Sequence, residues 1–178
     1  LQLDISKIDQ DSASYKRFKS FVDAAANGSP GYAFSASDAA TMYLLTSKEK
    51  YCELATTMVQ SQVDEANARI AAGERPPVAG DSYLEAGPMI SALALTWEAC
   101  RKTISDEQRA QWSVYAEQTV WNIWNPKQAR WGDKTFEWTG WSIDNPGNNY
   151  YYSFVEATMY WALASSNEKW LKLLRDDK

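Results

Sequence analysis

The apolar residues of this chain recur with the 3.6-residue period of amphipathic α-helices, and no stretch shows the strict alternation typical of a β-strand. Gly, Pro and Asn residues that interrupt this period, and Ser or Asp residues that suit a helix N-cap, divide the chain into seven predicted helices. Their approximate ranges are 12–26, 37–45, 47–72, 82–104, 105–125, 148–165 and 166 onwards. The pattern therefore predicts an all-α fold.

Polar residues at two of the predicted helix starts suit capping. Ser47 follows the tight corner after Thr46 and is the predicted N-cap of the third helix. Ser105 and Gln108 form a capping-box pattern, in which each side chain can satisfy a backbone donor of the other residue. The apolar stripes of the fourth and fifth helices predict much of the core. These stripes consist of Ile90, Leu93, Trp97, Cys100 and Ile104, and of Trp112, Ala116, Val120 and Ile123.

Three predicted helix corners resemble one another and indicate an internal repeat. An Ala-Thr-Met-Tyr stretch followed by a Ser-containing corner occurs in 40–51 and again in 157–170, and 93–109 repeats the theme more loosely. The acidic corner residues are Glu49, Glu107 and Glu168, at separations of 58 and 61 positions (107 − 49 and 168 − 107). A period of about sixty residues suits stacked helical hairpins, each of which buries a face against the next. We therefore expect 1–178 to form one domain of tandem helical hairpins.

The charge balance and the apolar runs exclude two kinds of interaction. A net charge of −5, from 18 basic and 23 acidic residues, argues against nucleic acid as a partner, because phosphate binding needs a basic face. No run approaches the ~18 uninterrupted apolar residues that suggest a membrane span, so membrane insertion is not expected. The chain begins at Leu1 without a signal-like segment, and we expect either a mature form that has lost such a segment or an excised piece.

Cysteine usage and the lack of His leave little room for metal or cofactor chemistry. Cys52 and Cys100 are too few to define a disulfide framework, and their places in helical patterns favour buried free thiols. With no His, and with the two Cys 48 positions apart (100 − 52), the sequence contains no metal-binding cluster. It also lacks a Gly-rich phosphate loop and a Gly-x-Ser-x-Gly elbow, so no cofactor is expected.

Aromatic residues supply the main candidate chemistry, since the chain has nine Trp and ten Tyr. The non-periodic connection 126–147 contains Arg130, Trp131, Trp138 and Trp141, and connections of this length are usually binding loops. Its three Trp rings can stack on sugars, and Arg130 can pair with a carboxylate. The alternative is that the rings fold back and tie the loop to the hairpins.

The order of the predicted helices and corners resembles that of a known family. The segment 39–55 (AATMYLLTSKEKYCELA) joins an alanine-rich helix to a tight turn and a second helix, 92–112 closes in TISDEQR, and 145–166 contains NPGNNYYYSF. These elements, which cover most of the chain, resemble the α/α toroid of the alginate-lyase and heparinase II/III-like polysaccharide lyases. The resemblance implies an inner and an outer ring of paired helices, so the chain would be the first part of the toroid. It also implies a periplasmic or secreted location.

Three hairpins make an incomplete (α/α) toroid. An arc of this kind leaves an apolar edge that needs a partner. We therefore expect the arc to be completed by the remainder of a longer chain or by a second copy.

The same resemblance implies a reaction. These lyases cleave uronate-containing polysaccharides by β-elimination, in which the C5 carboxylate is neutralised, a base removes the adjacent proton and an acid protonates the leaving oxygen. The Asn-Asn-Tyr of 148–150 stands where the family has Asn-Asn-His. Asn149 then matches the neutralising Asn, and Tyr150 occupies the His position, where it can act as base or acid if its pKa falls below ~10. Asn148 and Tyr151 are expected to contact the substrate. The alternative for the two Asn is helix capping.

Three functional hypotheses stay open. The leading one is an enzyme, a lyase that acts on an acidic polysaccharide or oligosaccharide. The second is a glycoside hydrolase on an α/α barrel, with a carboxylate pair drawn from Asp133, Glu137 and Asp144. The third is a non-catalytic helical repeat that binds a glycan or a protein, which the missing His favours over the first. The Pro-rich loop 73–81 is a weaker candidate that would border the same cleft as 126–147.

Overall fold

The computed structural model of the chain describes residues 5–178 and is mostly helical, which confirms the all-α prediction. The first four residues of the expected domain lie outside the described part. Seven α-helices form within 5–178, joined by short turns and by two longer connections, the second of which contains a two-stranded β-hairpin. The helices are α1 (Ala13–Ala26), α2 (Ala36–Thr46), α3 (Glu49–Ala71), α4 (Ala86–Ala99), α5 (Asp106–Trp124), α6 (Asn149–Ser165) and α7 (Glu168–Asp176).

The helices form two layers. In the first layer α4 lies between α2 and α6 and contacts both. The helix that follows each of these three, namely α3, α5 and α7, packs back against it, and α5 also contacts α3 and α6. The approach of α4 to α6 depends on Gly87, whose N–H donates to Ser153 Oγ at 2.8 Å. A Cβ atom at Gly87 would lie 2.8 Å from that oxygen, so only glycine permits this spacing.

Two helix starts differ from the prediction. Ser47 is the C-cap of α2 in the left-handed conformation (φ 56°), where its N–H donates to Tyr43 O at 2.7 Å, and it is not the N-cap of α3. The tight corner needs this left-handed residue, so the helix start moves on to Lys48, whose side chain makes no capping bond. The fourth helix begins at Ala86 rather than near Ser82, because Asp81, Ser82 and Tyr83 adopt positive φ angles of 39°, 53° and 64°.

The repeat found in the sequence corresponds to a repeated backbone geometry at two of the three corners. Ser166 ends α6 in the same left-handed conformation (φ 54°) that Ser47 adopts at the end of α2. The residue before each of them, Ser165 or Thr46, donates its hydroxyl to the carbonyl four positions earlier, at 2.6 and 2.7 Å. The α4–α5 corner is longer and differs, although its Ser105–Gln108 capping box forms as predicted.

A second repeated contact joins successive helices of the outer layer. Trp112 of α5 donates its indole N–H to Gln60 Oε1 of α3 at 2.9 Å, and Trp170 of α7 donates to the Glu117 carboxylate of α5 at 3.0 Å. The two donors are 58 positions apart (170 − 112) and the two acceptors 57 (117 − 60). The contact therefore recurs with the hairpin period.

The core contains almost all the residues predicted for it, since the fourth- and fifth-helix stripes are buried apart from the half-buried Trp97. The prediction of free thiols is wrong. Cys52, near the start of α3, and Cys100, at the end of α4, are buried and form a disulfide with a Cα–Cα distance of 5.4 Å. The hairpin packing brings these two helix ends together, which a sequence separation of 48 does not reveal.

Candidate functional site

The two long connections of the chain, 72–85 and 125–148, lie at the same end of the bundle and contact each other. Three hydrogen bonds join them: Arg75 Nη2 to Glu137 O at 3.0 Å, Lys134 Nζ to Gly73 O at 3.3 Å, and Trp131 Nε1 to Tyr83 Oη at 3.2 Å. The Pro-rich loop therefore contacts the 126–147 segment, while its place at the border of a common ligand cleft stays a prediction. Together the two connections form one surface at the C-terminal ends of α3 and α5.

The 126–147 segment is held in place by Asn122, a fully buried residue of α5. Its side-chain oxygen accepts the N–H of Arg130 at 3.0 Å, and its side-chain nitrogen donates to the carbonyl of Arg130 at 2.8 Å. These bonds anchor a small antiparallel hairpin, β1 (Arg130–Trp131) with β2 (Lys134–Thr135). The sequence pattern gave no indication of this hairpin. The one sequence signal for Asn122 is its position next to Ile123, which places a polar residue on the inward face of α5.

Two of the three Trp residues proposed to stack on sugars are buried. Trp131 packs with its ring centroid 6.2 Å from that of Tyr115, and Trp138 packs 5.8 Å from Phe154 while donating its indole N–H to the Asn122 carbonyl at 3.0 Å. Both rings therefore tie the loop to the helices. Trp141, with 55% of its surface exposed, stays accessible to a ligand.

A groove of about 370 Å³ lies between α3, α5 and the β-hairpin, and we call it the Arg130 groove. The exposed Arg130 side chain lines one side, with its guanidinium 5.9 Å from the ring centre of Trp121. The groove is also lined by Asn67 and Ile70 of α3, Val114 and Gln118 of α5, and Asp133 of the hairpin. The groove therefore combines one cation, two amides, one carboxylate and an apolar wall.

Glu117 extends this site, and sequence reasoning missed it. It lines an adjoining groove of about 280 Å³ that also includes Trp121 and Arg130. Its carboxylate accepts hydrogen bonds from the indole N–H groups of Trp161 at 2.8 Å and Trp170 at 3.0 Å, and a longer one from the Asn167 amide at 3.3 Å. These donors fix the carboxylate where α5, α6 and α7 meet.

The Asn-Asn-Tyr motif forms the start of α6. Asn148 is the N-cap, and its side-chain oxygen accepts the Tyr150 N–H at 2.9 Å, as the capping alternative expects. Asn149 is exposed in the first turn. The Tyr150 hydroxyl donates to Asp81 Oδ1 at 2.9 Å, and this hydrogen bond raises the pKa of Tyr150 above its usual value. Tyr150 therefore keeps its proton at neutral pH, contrary to the lowered pKa that a base would need.

Tyr151 does not offer a ligand-binding surface. Its side chain is buried, and its hydroxyl donates to the carbonyl of Lys178 at 2.6 Å. The helical turn instead directs Tyr152 outward, with 61% of its surface exposed. The burial of Tyr151 leaves little of its surface for the expected contact with a substrate.

The candidate residues separate into two groups. Arg130 and Trp131 line the Arg130 groove, whereas the residues of the Asn-Asn-Tyr motif are not among its lining. Of the three carboxylates proposed for a hydrolase, Asp133 lines the groove, while Asp144 is ion-paired with Lys178. The described residues do not bring the three carboxylates into that one groove.

Comparison of the chain with protein-family models, with curated proteins and with solved structures gives no match. Within residues 5–178, no group of three or more His, Cys, Asp and Glu residues is arranged to hold a metal ion. No helix in that part of the chain is long and apolar enough to cross a membrane. The structure is therefore that of an all-α protein with a groove between α3 and α5 that has both polar and apolar lining residues.

Proposed function

We propose that the chain is a carbohydrate-binding helical-repeat domain that recognises an acidic, uronate-containing polysaccharide. The observation that carries the proposal is the exposed Arg130 guanidinium, which is attached to a backbone fixed by Asn122. The planar guanidinium fork matches the geometry of a carboxylate. The amides of Asn67 and Gln118 can both donate and accept, as a ligand rich in hydroxyl groups requires, and Val114 gives the groove an apolar wall.

The layer arrangement supports, as part of this proposal, an incomplete (α/α) toroid of the polysaccharide-lyase kind. In such a toroid α2, α4 and α6 form part of the inner ring, and α3, α5 and α7 part of the outer ring. The exposed apolar residues of α6, namely Tyr152, Met159 and Leu163, support the idea that the arc continues. We infer completion either by the remainder of a longer chain or by a second copy.

A periplasmic or secreted location is part of the proposal. The buried disulfide between Cys52 and Cys100 supports it, because disulfides form and persist mainly in oxidising compartments.

Lyase activity at the start of α6 is the second candidate function, and the hydrogen bond between Tyr150 and Asp81 favours it. A tyrosine that keeps its proton suits the acid that protonates the leaving oxygen rather than the base. Asn149 lies in the first turn of α6, where the helix dipole favours a negatively charged group such as a C5 carboxylate. The base would come from another group, since the chain has no His.

The binding proposal is tested by isothermal titration calorimetry with oligogalacturonates and, as neutral ligands, cello-oligosaccharides. We expect uronate binding that is lost in Arg130→Ala and retained in Arg17→Ala, a matched control at an exposed Arg of α1. Binding that is equally strong in both variants would remove Arg130 from the site and overturn the proposal.

The lyase candidate has a separate test, the absorbance of unsaturated uronates after incubation with acidic polysaccharides. We expect a signal that disappears in Asn149→Ala and falls strongly in Tyr150→Phe, which lacks the transferable proton. A signal unchanged in both variants would place the reaction elsewhere. Uronate binding without any unsaturated product would reject the lyase and leave the binding domain.

A further inference from the structure

The Arg130 groove has a counterpart further along the same two helices. A second groove, of about 340 Å³, lies between α3 and α5 nearer their N-terminal ends, and its lining includes Thr57, Gln60 and Ser61 of α3 and Gln108 of α5. Resting on the proposed function, we propose that the two grooves form one binding track, the α3–α5 groove. It binds several consecutive sugars of an extended polysaccharide, with a uronate carboxylate at Arg130.

The spacing of the polar side chains supports a track rather than two separate sites. On α3, Gln60, Asp64 and Asn67 follow one another at i, i+4 and i+7, so they share one face of the helix. The lining runs from Thr57 to Ile70, over which an α-helix rises about 20 Å. This length exceeds what a single sugar ring needs and matches a short oligosaccharide laid along the helices.

The second groove has a fixed amide, that of Gln60. Gln60 accepts the indole N–H of Trp112 at 2.9 Å and donates to Gln111 Oε1 at 2.8 Å and to Asp64 Oδ1 at 2.7 Å. Because Trp112 is fully buried, its indole determines which end of the Gln60 amide is the acceptor. The bond from Gln60 then orients Gln111 in turn. The side chains are thus oriented before any ligand arrives, which lowers the entropic cost of binding.

Polar atoms along the groove keep unused hydrogen-bonding capacity. Among the described residues, Gln108 Nε2 and Gln111 Nε2 donate to no partner, although the oxygen of each amide accepts a bond. Gln118 uses its nitrogen as a donor to Asn122 at 2.9 Å, which leaves its oxygen as an acceptor. Along α5, free donors at Gln108 and Gln111 are therefore followed by a free acceptor at Gln118 on the way to Arg130. Vicinal hydroxyl groups of a sugar can satisfy both kinds.

The experiment is the dependence of affinity on chain length, measured by calorimetry with galacturonate from the monomer to the hexamer. For the wild-type chain we expect affinity to rise with length, by about thirtyfold once two further hydrogen bonds form, and then to level off. Ser61→Trp, which places bulk in the second groove, is expected to abolish the gain and to leave the monomer affinity unchanged. Ser20→Trp, at an exposed position of α1, is the matched control and keeps the gain.

The outcomes separate this inference from the function on which it rests. Monomer binding that depends on Arg130, with longer chains binding no more tightly, overturns the track and leaves the proposed function. A length gain that Ser61→Trp does not reduce also overturns it, because the added sugars would then lie elsewhere. A neutral cello-oligosaccharide whose binding Ser61→Trp abolishes, without any uronate binding at Arg130, supports the track and contradicts the acidic ligand. Absence of all sugar binding overturns both.

Discussion

Replacing Asn122 by Ala tests whether one buried side chain positions the candidate site. The change removes both side-chain bonds to Arg130 and the bond from Gln118, but it keeps the backbone carbonyl that accepts the Trp138 indole. Each lost bond costs about 1 kcal/mol, and more where a buried partner is left without water. We therefore expect the free energy of unfolding to fall by about 2 to 4 kcal/mol.

The assay combines urea unfolding with hydrogen exchange of the Arg130 amide, whose acceptor is Asn122 Oδ1. We expect faster exchange at Arg130 and weaker uronate binding in Asn122→Ala, because the guanidinium is no longer attached to a fixed backbone. Asn149→Ala, an exposed change, serves as the control and leaves unfolding and the exchange at Arg130 unaltered. The reasoning fails if Asn122→Ala unfolds at the wild-type urea concentration with the Arg130 amide still protected.

Three further predictions concern stability. Reducing the disulfide between Cys52 and Cys100 should lower the free energy of unfolding by about 2 to 4 kcal/mol, seen in urea unfolding with and without dithiothreitol; an unchanged midpoint would contradict its structural role. Thr56→Val should raise the stability by about 1 kcal/mol, since the buried Thr56 hydroxyl bonds to no described residue, and a lower thermal midpoint would show an unrecognised partner. Burial raises the pKa of Tyr83 to about 12. The folded state therefore binds that proton more tightly than the unfolded chain, and the stabilisation present below pH ~10 is lost as the pH rises towards 12. Tyr83→Phe should reduce this alkaline loss in urea unfolding at a series of pH values, and an identical pH profile would refute the assignment.

The periodic parts of the molecule could be predicted from the sequence because their cause is local. The stripe of Trp112, Ala116, Val120 and Ile123 is buried as its spacing predicts, and the Ser105–Gln108 capping box depends on residues three positions apart. The ends of the helices were predicted less accurately. At Ser47 the choice between ending α2 and starting α3 depends on how tightly the two helices turn against each other.

The candidate site was harder to predict because long-range contacts determine it. Nothing near Trp131 and Trp138 in the sequence distinguishes a ring that packs from one that binds, and their burial follows from Tyr83, Phe154 and Asn122 on other elements. A two-residue β-strand is too short to show an alternation of apolar and polar residues. The pairing of Cys52 with Cys100 likewise depends on the packing of α3 against α4.

The disulfide prevents the first two helical hairpins from separating fully, but it does not restrain the third. Cys52 on α3 and Cys100 at the end of α4 join the first two helical hairpins covalently. No disulfide joins the third hairpin to them, and it packs against α4 and α5 through non-covalent contacts such as those of Glu117. Partial unfolding can therefore release α6 and α7 while the first two hairpins stay connected. Mechanical load along the chain, as during transport through a narrow pore, would meet a unit without a disulfide at the C-terminal side and a cross-linked one behind it.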